Sequence, residues 1–89
     1  MQDKHWSVEI LIDERNGQTH AEARLHADEG SRKLVATGVA RKNPDDRDVP
    51  LIGDELAAAR ALADLSHQLI EQTATDIESS THVPAHVTT

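Results

Sequence analysis

The segment His5–Ala27, HWSVEILIDERNGQTHAEARLHA, decides how this chain folds. In its first part Trp6, Val8, Ile10 and Ile12 alternate with Ser7, Glu9 and Asp13, the period-two pattern of a strand with one buried face. Leu11 breaks the pattern by putting an apolar side chain on the polar side. Asn16-Gly17 follows, a pair whose tolerance of positive φ suits a two-residue hairpin loop. Beyond it Thr19, Ala21, Ala23, Leu25 and Ala27 alternate with His20, Glu22, Arg24 and His26. A two-residue loop pairs Arg15 with Gln18 and so fixes the register. Trp6 then faces Ala27, Val8 faces Leu25, Ile10 faces Ala23 and Ile12 faces Ala21, all apolar. On the other side Glu9 meets Arg24 and Asp13 meets His20, both favourable cross-strand pairs. A slip of one residue would destroy both sets of matches.

Further along, DEGSR (28–32) predicts a second turn and Lys33–Arg41 a third strand. A loop of Glu29, Gly30 and Ser31 sets Val35, Thr37 and Val39 opposite Leu25, Ala23 and Ala21, and so assigns them to the core face. Ala36, Gly38 and Ala40 then form a strip of small residues on the opposite face, where either another backbone or surface approaches closely or small residues are simply tolerated. Asn43-Pro44-Asp45-Asp46 is turn chemistry, with Pro presetting φ, and Pro50 ends the connector. Gly53 or Asp54 is the expected N-cap of a helix with acids in its first turn.

That helix is expected over about 54–78. Leu56, Ala59, Leu62, Ala63, Leu65, Leu69, Ile70 and Ile77 fall on one half of it. Arg60, Asp64, His67, Gln68, Glu71 and Glu78 fall on the other. An apolar face about 180° wide exceeds the ~100° stripe of a helix docked on one surface. The surplus predicts a second packing partner. This chain has no other convincing helix, so the partner is expected to be another subunit. The tail, SSTHVPAHVTT (79–89), contains Pro and no helical period, and is expected to be extended. The fold class is therefore α+β. A single domain, 1–89, has strands at about 5–14, 19–28 and 33–41 in an antiparallel meander, a connector at 42–53, and one long C-terminal helix in two layers.

Composition limits what such a fold can do. The 89 residues include one Trp and one Met, and no Phe, Tyr or Cys. Without Cys there is neither a disulfide framework nor a thiolate metal site. A core this poor in large side chains points to oligomerisation as the missing stabiliser. No apolar run approaches the ~18 residues that span a bilayer. The start, MQDKHWSVEIL, lacks the basic-then-apolar pattern of a secretion signal. A soluble cytoplasmic protein without membrane contact is expected. The formal charge of -7 is unevenly spread. Residues 1–43 balance seven acids with seven bases, whereas residues 54–89 carry six acids and only Arg60.

Six histidines raise the question of a metal site. His82 and His86 flank Pro84, which breaks a regular helix between them. His20 and His26 share a face but stand roughly 20 Å apart along a strand. His67 and Glu71 form an ordinary solvated helix pair. No metal or other cofactor is expected. The chain carries no G-x-S-x-G elbow and no glycine phosphate loop. Asp54 and Glu55 read as helix-start residues rather than a general acid/base pair, which would need a desolvated cleft. No catalytic residue is assigned and no enzyme is expected. A meander followed by a helix resembles double-stranded-RNA-binding domains, which put basic residues at the start of the last helix. Here that segment reads Gly53-Asp54-Glu55, which repels phosphate, so autonomous nucleic-acid binding through this face is not expected. The bases left for nucleic-acid contact are Arg24, Arg41 and Lys42, a modest patch beside strand three.

The runs HWSVEILIDE, THAEARL, LVATGVARKNP with DDRDVPLIGDELAAARALADL, and DIESSTHVP together resemble a set of small actinobacterial proteins of unknown function. The likeness runs from Trp6 to Pro84 and is most specific in GVARKNP, from Pro50 to Leu65, and from Asp76 to Pro84. It implies a βββα subunit that assembles as a dimer, similar in shape to ribosome-hibernation factors. It also implies a link to low-oxygen dormancy and stress, and no enzymatic activity. The expected function is a homodimeric stress or dormancy protein that acts by binding, with the ribosome as candidate target. The alternative is an acidic interaction module for a non-ribosomal protein partner. Three surfaces are offered for the dimer: Leu11, the Ala36/Gly38/Ala40 strip, and the spare helix face with Leu62, Leu69 and Ile70. The tail around Thr81–Pro84 is a further candidate for docking on the partner.

Overall fold

Period-two alternation in the first half of the chain and a helical period in the second divide it into a sheet and a helix. The computed structural model describes residues 3–27, 32–43, 47 and 49–87. Strands β1 (Ser7–Arg15), β2 (Gln18–His26) and β3 (Lys33–Arg41) form an antiparallel sheet in the order β1-β2-β3, and helix α1 (Pro50–Thr81) follows. This is the expected α+β meander with one long C-terminal helix. Residues 28–31 of the second turn, and 44–46 and 48 of the connector turn, lie outside the described residues.

The first hairpin has the register its turn chemistry demands. Asn16 and Gly17 take φ of 50° and 76°, the left-handed pair of a tight two-residue loop. Arg15 pairs with Gln18, Ile10 with Ala23, Glu9 with Arg24 and Asp13 with His20. The second hairpin differs from expectation by one residue. Leu25 pairs with Leu34, Ala23 with Ala36 and Ala21 with Gly38. The Ala27 N–H donates to the Arg32 carbonyl at 3.2 Å, leaving four residues between them rather than three. A one-residue slip turns a strand over. Leu34, Ala36, Gly38 and Ala40 therefore face α1, while Val35, Thr37 and Val39, expected in the core, face out and away from it.

The helix explains the choice. Ala57, Ala61 and Leu65, one turn apart, are its buried line, and they meet Ala21, Ala23, Leu25, Ala36 and Ala40 of the sheet. A Cβ at position 38 would run into Ala57 O and Ala61 N and lie 2.8 Å from Arg60 Cβ. The helix backbone thus rests directly on Gly38, which valines on that face would prevent.

The start of α1 also corrects the sequence reading. Val49, in extended conformation (φ -117°), is the N-cap, and Pro50 opens the helix. Proline suits that position because its missing N–H would have no intrahelical partner anyway. Gly53 and Asp54 are therefore inside the helix, not its cap, and the first turn carries no acid. Gly53 has a packing role instead: a Cβ there would lie 2.7 Å from Thr19 Oγ1. At the other end His82 takes a left-handed conformation (φ 59°), and its N–H donates to Glu78 O at 2.7 Å. The helix so includes 79–81, which the sequence reading gave to the tail.

Helix α1 runs antiparallel to β3 and closes its outer edge. Arg60 Nη1 donates to Val39 O (2.7 Å) and Gln68 Nε2 to Val35 O (3.0 Å), while the Thr37 N–H donates to Asp64 Oδ2 (3.4 Å). Two strand residues advance about 6.6 Å and four helix residues about 6 Å, so the two elements stay in step. Arg32 Nη1 continues the line with a hydrogen bond to Asp76 Oδ2 at 2.9 Å.

A helix about 10 Å across covers roughly two strands spaced 4.8 Å apart. With α1 seated over β2 and along β3, β1 is left bare. Val8, Ile10 and Ile12, on the helix side of the sheet, and Trp6 just before β1 are 37–51% exposed rather than core.

Candidate interaction surface

The bare strip on β1 is an apolar surface that the fold leaves uncovered. Val8, Ile10 and Ile12 form its floor, continuous with the buried Leu25, Ala23 and Ala21 beside them. The outer edge of β1 has no strand against it among the described residues, because the sheet order ends there. Helical geometry supplies a wall. At 100° per residue, Leu62 and Leu69 fall on the flank of α1 opposite Arg60, Asp64 and Gln68, which is the flank on the β1 side. Leu62 is exposed, and Leu69 is half-buried against the core.

The other predicted interface residues are scattered. Leu11 is exposed on the open face of the sheet, opposite Glu22 in the ladder. Ala36, Gly38 and Ala40 do accept a close surface, but it is α1 of their own chain, so they offer nothing to a second subunit in this structure. Ile70 is half-buried and lies further round the helix than Leu69. Sequence reasoning missed Trp6, Val8, Ile10 and Ile12 as surface. The signal that finds them is width: one helix cannot cover three strands.

The family assignment follows from the whole chain rather than from one surface. The sequence profile of the Rv2632c-like family matches residues 4–86. This chain belongs to the Rv2632c-like family. Uncharacterized protein Mb1767 of Mycobacterium bovis (strain ATCC BAA-935 / AF2122/97) is 51% identical over 84 residues, covering 94% of this chain and 87% of its own. Uncharacterized protein Rv2632c of Mycobacterium tuberculosis (strain ATCC 25618 / H37Rv) is 48% identical over 81 residues, covering 91% and 85%. The crystal structure of Rv2632c matches with a TM-score of 0.82 at 48% identity, over 94% of this chain and 98% of that one. These relatives fix family and fold. They lend no support to a likeness with RNA-binding domains or hibernation factors.

In this Rv2632c-like chain the nucleic-acid candidates do not converge. Arg24 lies on the open sheet face, held 2.7 Å from Glu22 and 4.0 Å from Glu9. Arg41 ends β3 beside Gln18, whose amide oxygen, turned toward it, accepts from Arg41 Nε at 3.0 Å. Lys42 follows, its N–H donating to Gly17 O at 3.0 Å. Arg24 pairs with Val35, six strand residues or roughly 20 Å from Arg41. His20 and His26 point to the open face, and His67 Nε2 lies 3.0 Å from Glu71 Oε1. Among the described residues no group of three or more His, Cys, Asp or Glu is placed to hold a metal. Among the same residues no helix is long and apolar enough to cross a membrane. Hydrogen bonds from Arg32 and then Gln72 hold the Asp76 carboxyl below the usual carboxylate range.

Proposed function

We propose that this Rv2632c-like protein works by binding rather than catalysis, in the cytoplasm, as a homodimer joined along β1. The bare β1 shelf carries this reading. It combines an unpaired strand edge with an apolar face, the two things that strand-to-strand assembly uses. Because α1 closes β3, a two-fold pairing of β1 with β1 consumes both free edges and stops at two copies. One register is favoured by side-chain chemistry. Centring the two-fold on Ile10 sets Ile10 against Ile10 and Val8 against Ile12. On the other face it sets Glu9 against Leu11 and Ser7 against Asp13, so no like charges oppose. Centring it on Leu11 would set Glu9 against Asp13. Sedimentation equilibrium at micromolar concentration should give a dimer, and a stable monomer there overturns the proposal.

The proposed setting is stress or dormancy, with the ribosome as target, and it rests on the family resemblance. Co-sedimentation with ribosomes at physiological salt should be weakened by Arg24→Glu, Arg41→Glu and Lys42→Glu. No association, or association indifferent to these changes, removes the ribosome. A protein partner is the second reading. It is favoured by the pairing of Arg24 with Glu22 and Glu9, which spends its charge within the sheet, and by the acidity of α1. Nuclease-resistant association with a purified basic protein, competed by salt, supports that reading.

A further inference from the structure

A cavity of about 390 Å³ lies where the β1–β2 turn, the end of β3 and the start of α1 meet, and none of the β1 shelf residues lines it. Buried Ala40 and Thr19 contribute to it from the sheet, and Ile52 and Leu56 from α1. Thr19 is the one that demands an explanation. It is only 6% exposed, and no described residue hydrogen-bonds its side chain. Its oxygen lies beside Gly53, and both residues line the cavity. Gly53 keeps it open, since a Cβ there would sit 2.7 Å from Thr19 Oγ1. At the same place α1 begins with no side-chain cap and no acid in its first turn. The partial positive charge of a helix start therefore meets no first-turn acid beside the hydroxyl. Among the described lining residues are the basic Arg41, Lys42 and Arg47 and the acidic Glu14.

We propose that this cavity binds a small amphipathic monoanion, in its simplest form a medium-chain carboxylate. The aliphatic wall takes the tail. The Thr19 hydroxyl, the helix start and the arginines take the charged head. A pocket of several hundred Å³, mainly apolar with a few convergent polar groups, is the usual form of a small-molecule site. A polyanion is a poorer match for a chain whose formal net charge is -7. The region offers placed charge rather than the net charge on which nucleic-acid binding depends.

Amide shifts of the full-length protein, titrated separately with octanoate, octanol and inorganic phosphate, test this. Octanoate should give saturable shifts at Thr19, Ala40, Gly53 and Leu56, with octanol about tenfold weaker and phosphate weaker still. Thr19→Val, which keeps the volume, should weaken octanoate about tenfold, with shifts elsewhere unchanged. Arg47→Ala, on an exposed side chain that carries no part of the core, should weaken it in the same direction. The proposal is overturned by an absence of saturable shifts at these residues. It is equally overturned by octanol matching octanoate, by phosphate alone matching it, or by both variants binding as the parent does.

Discussion

Gly38 concentrates the packing problem in one residue. Its missing Cβ is the space into which the backbone of α1 settles, and the atoms a side chain would meet, Ala57 O and Ala61 N, cannot rotate away. Gly38→Ala should cost at least about 2 kcal/mol in urea denaturation, with the helix lifted from the sheet. Gly17→Ala is the contrast: nothing lies within 4 Å, but φ is 76°, so conformational strain alone should cost about 1 kcal/mol. The sequence reading offered close approach as one of two explanations for the small strip. It erred about which surface approaches. Asp76 gives a second test at this scale. Its folded pKa is depressed, so the Arg32 pair contributes fully above the unfolded-state pKa and is lost as pH falls through the lowered folded value. Carboxyl-carbon titration should place Asp76 below an ordinary aspartate, and Arg32→Ala should raise it. The pair is exposed, so the change should register in the titration and hardly in stability.

Between elements, the two hairpins show what local chemistry can decide and what it cannot. Asn16-Gly17 admits one tight loop, and the cross-strand matches agree with it, so the β1–β2 register was legible. DEGSR accommodates loops of three or four residues equally well, and Val35, Thr37 and Val39 suit either face of a strand. Their placement is settled by the helix, which needs Gly38 beneath it, and a local reading does not contain that requirement. The helix start was missed for a related reason. Gly53 and Asp54 are good capping residues, but Pro50, already suited to a first helical position, takes precedence. The line Arg60, Asp64, Gln68 was read as merely the polar half of α1, yet it satisfies the outward backbone of β3. Arg60→Ala with Gln68→Ala should free Val39 O and Val35 O and reopen a second strand edge. Light scattering should then show assemblies larger than those of the parent at equal concentration, with helix content retained. Unchanged assembly size would mean that the line does not guard that edge.

The whole molecule has a thin core for its size. Among the described residues eight apolar side chains are buried, and six of them are alanine; only Leu25 and Leu65 bring substantial apolar area. Fully burying a leucine contributes about 1.5–3 kcal/mol, and alanine far less. Meanwhile Trp6, Val8, Ile10 and Ile12, with more apolar surface than the core alanines, remain in contact with water. The thinness of the core was legible in composition. The bare face of β1 was not, because alternation on β1 looks the same whether the apolar face meets its own helix or solvent. If dimerisation supplies stability that the subunit lacks, folding and association are linked, and the midpoint of thermal unfolding must depend on concentration. Calorimetry over a hundredfold dilution should show the parent's Tm falling as it is diluted. Ile10→Lys places a charge at the centre of the proposed two-fold, on a residue already 37% exposed, so it should spare the subunit fold. That variant should sediment as a monomer, melt at lower temperature, and show a Tm indifferent to dilution. A parent Tm that is equally indifferent, from a protein that sediments as a monomer, would mean that this small alanine core is sufficient alone and that β1 is not the dimer seam.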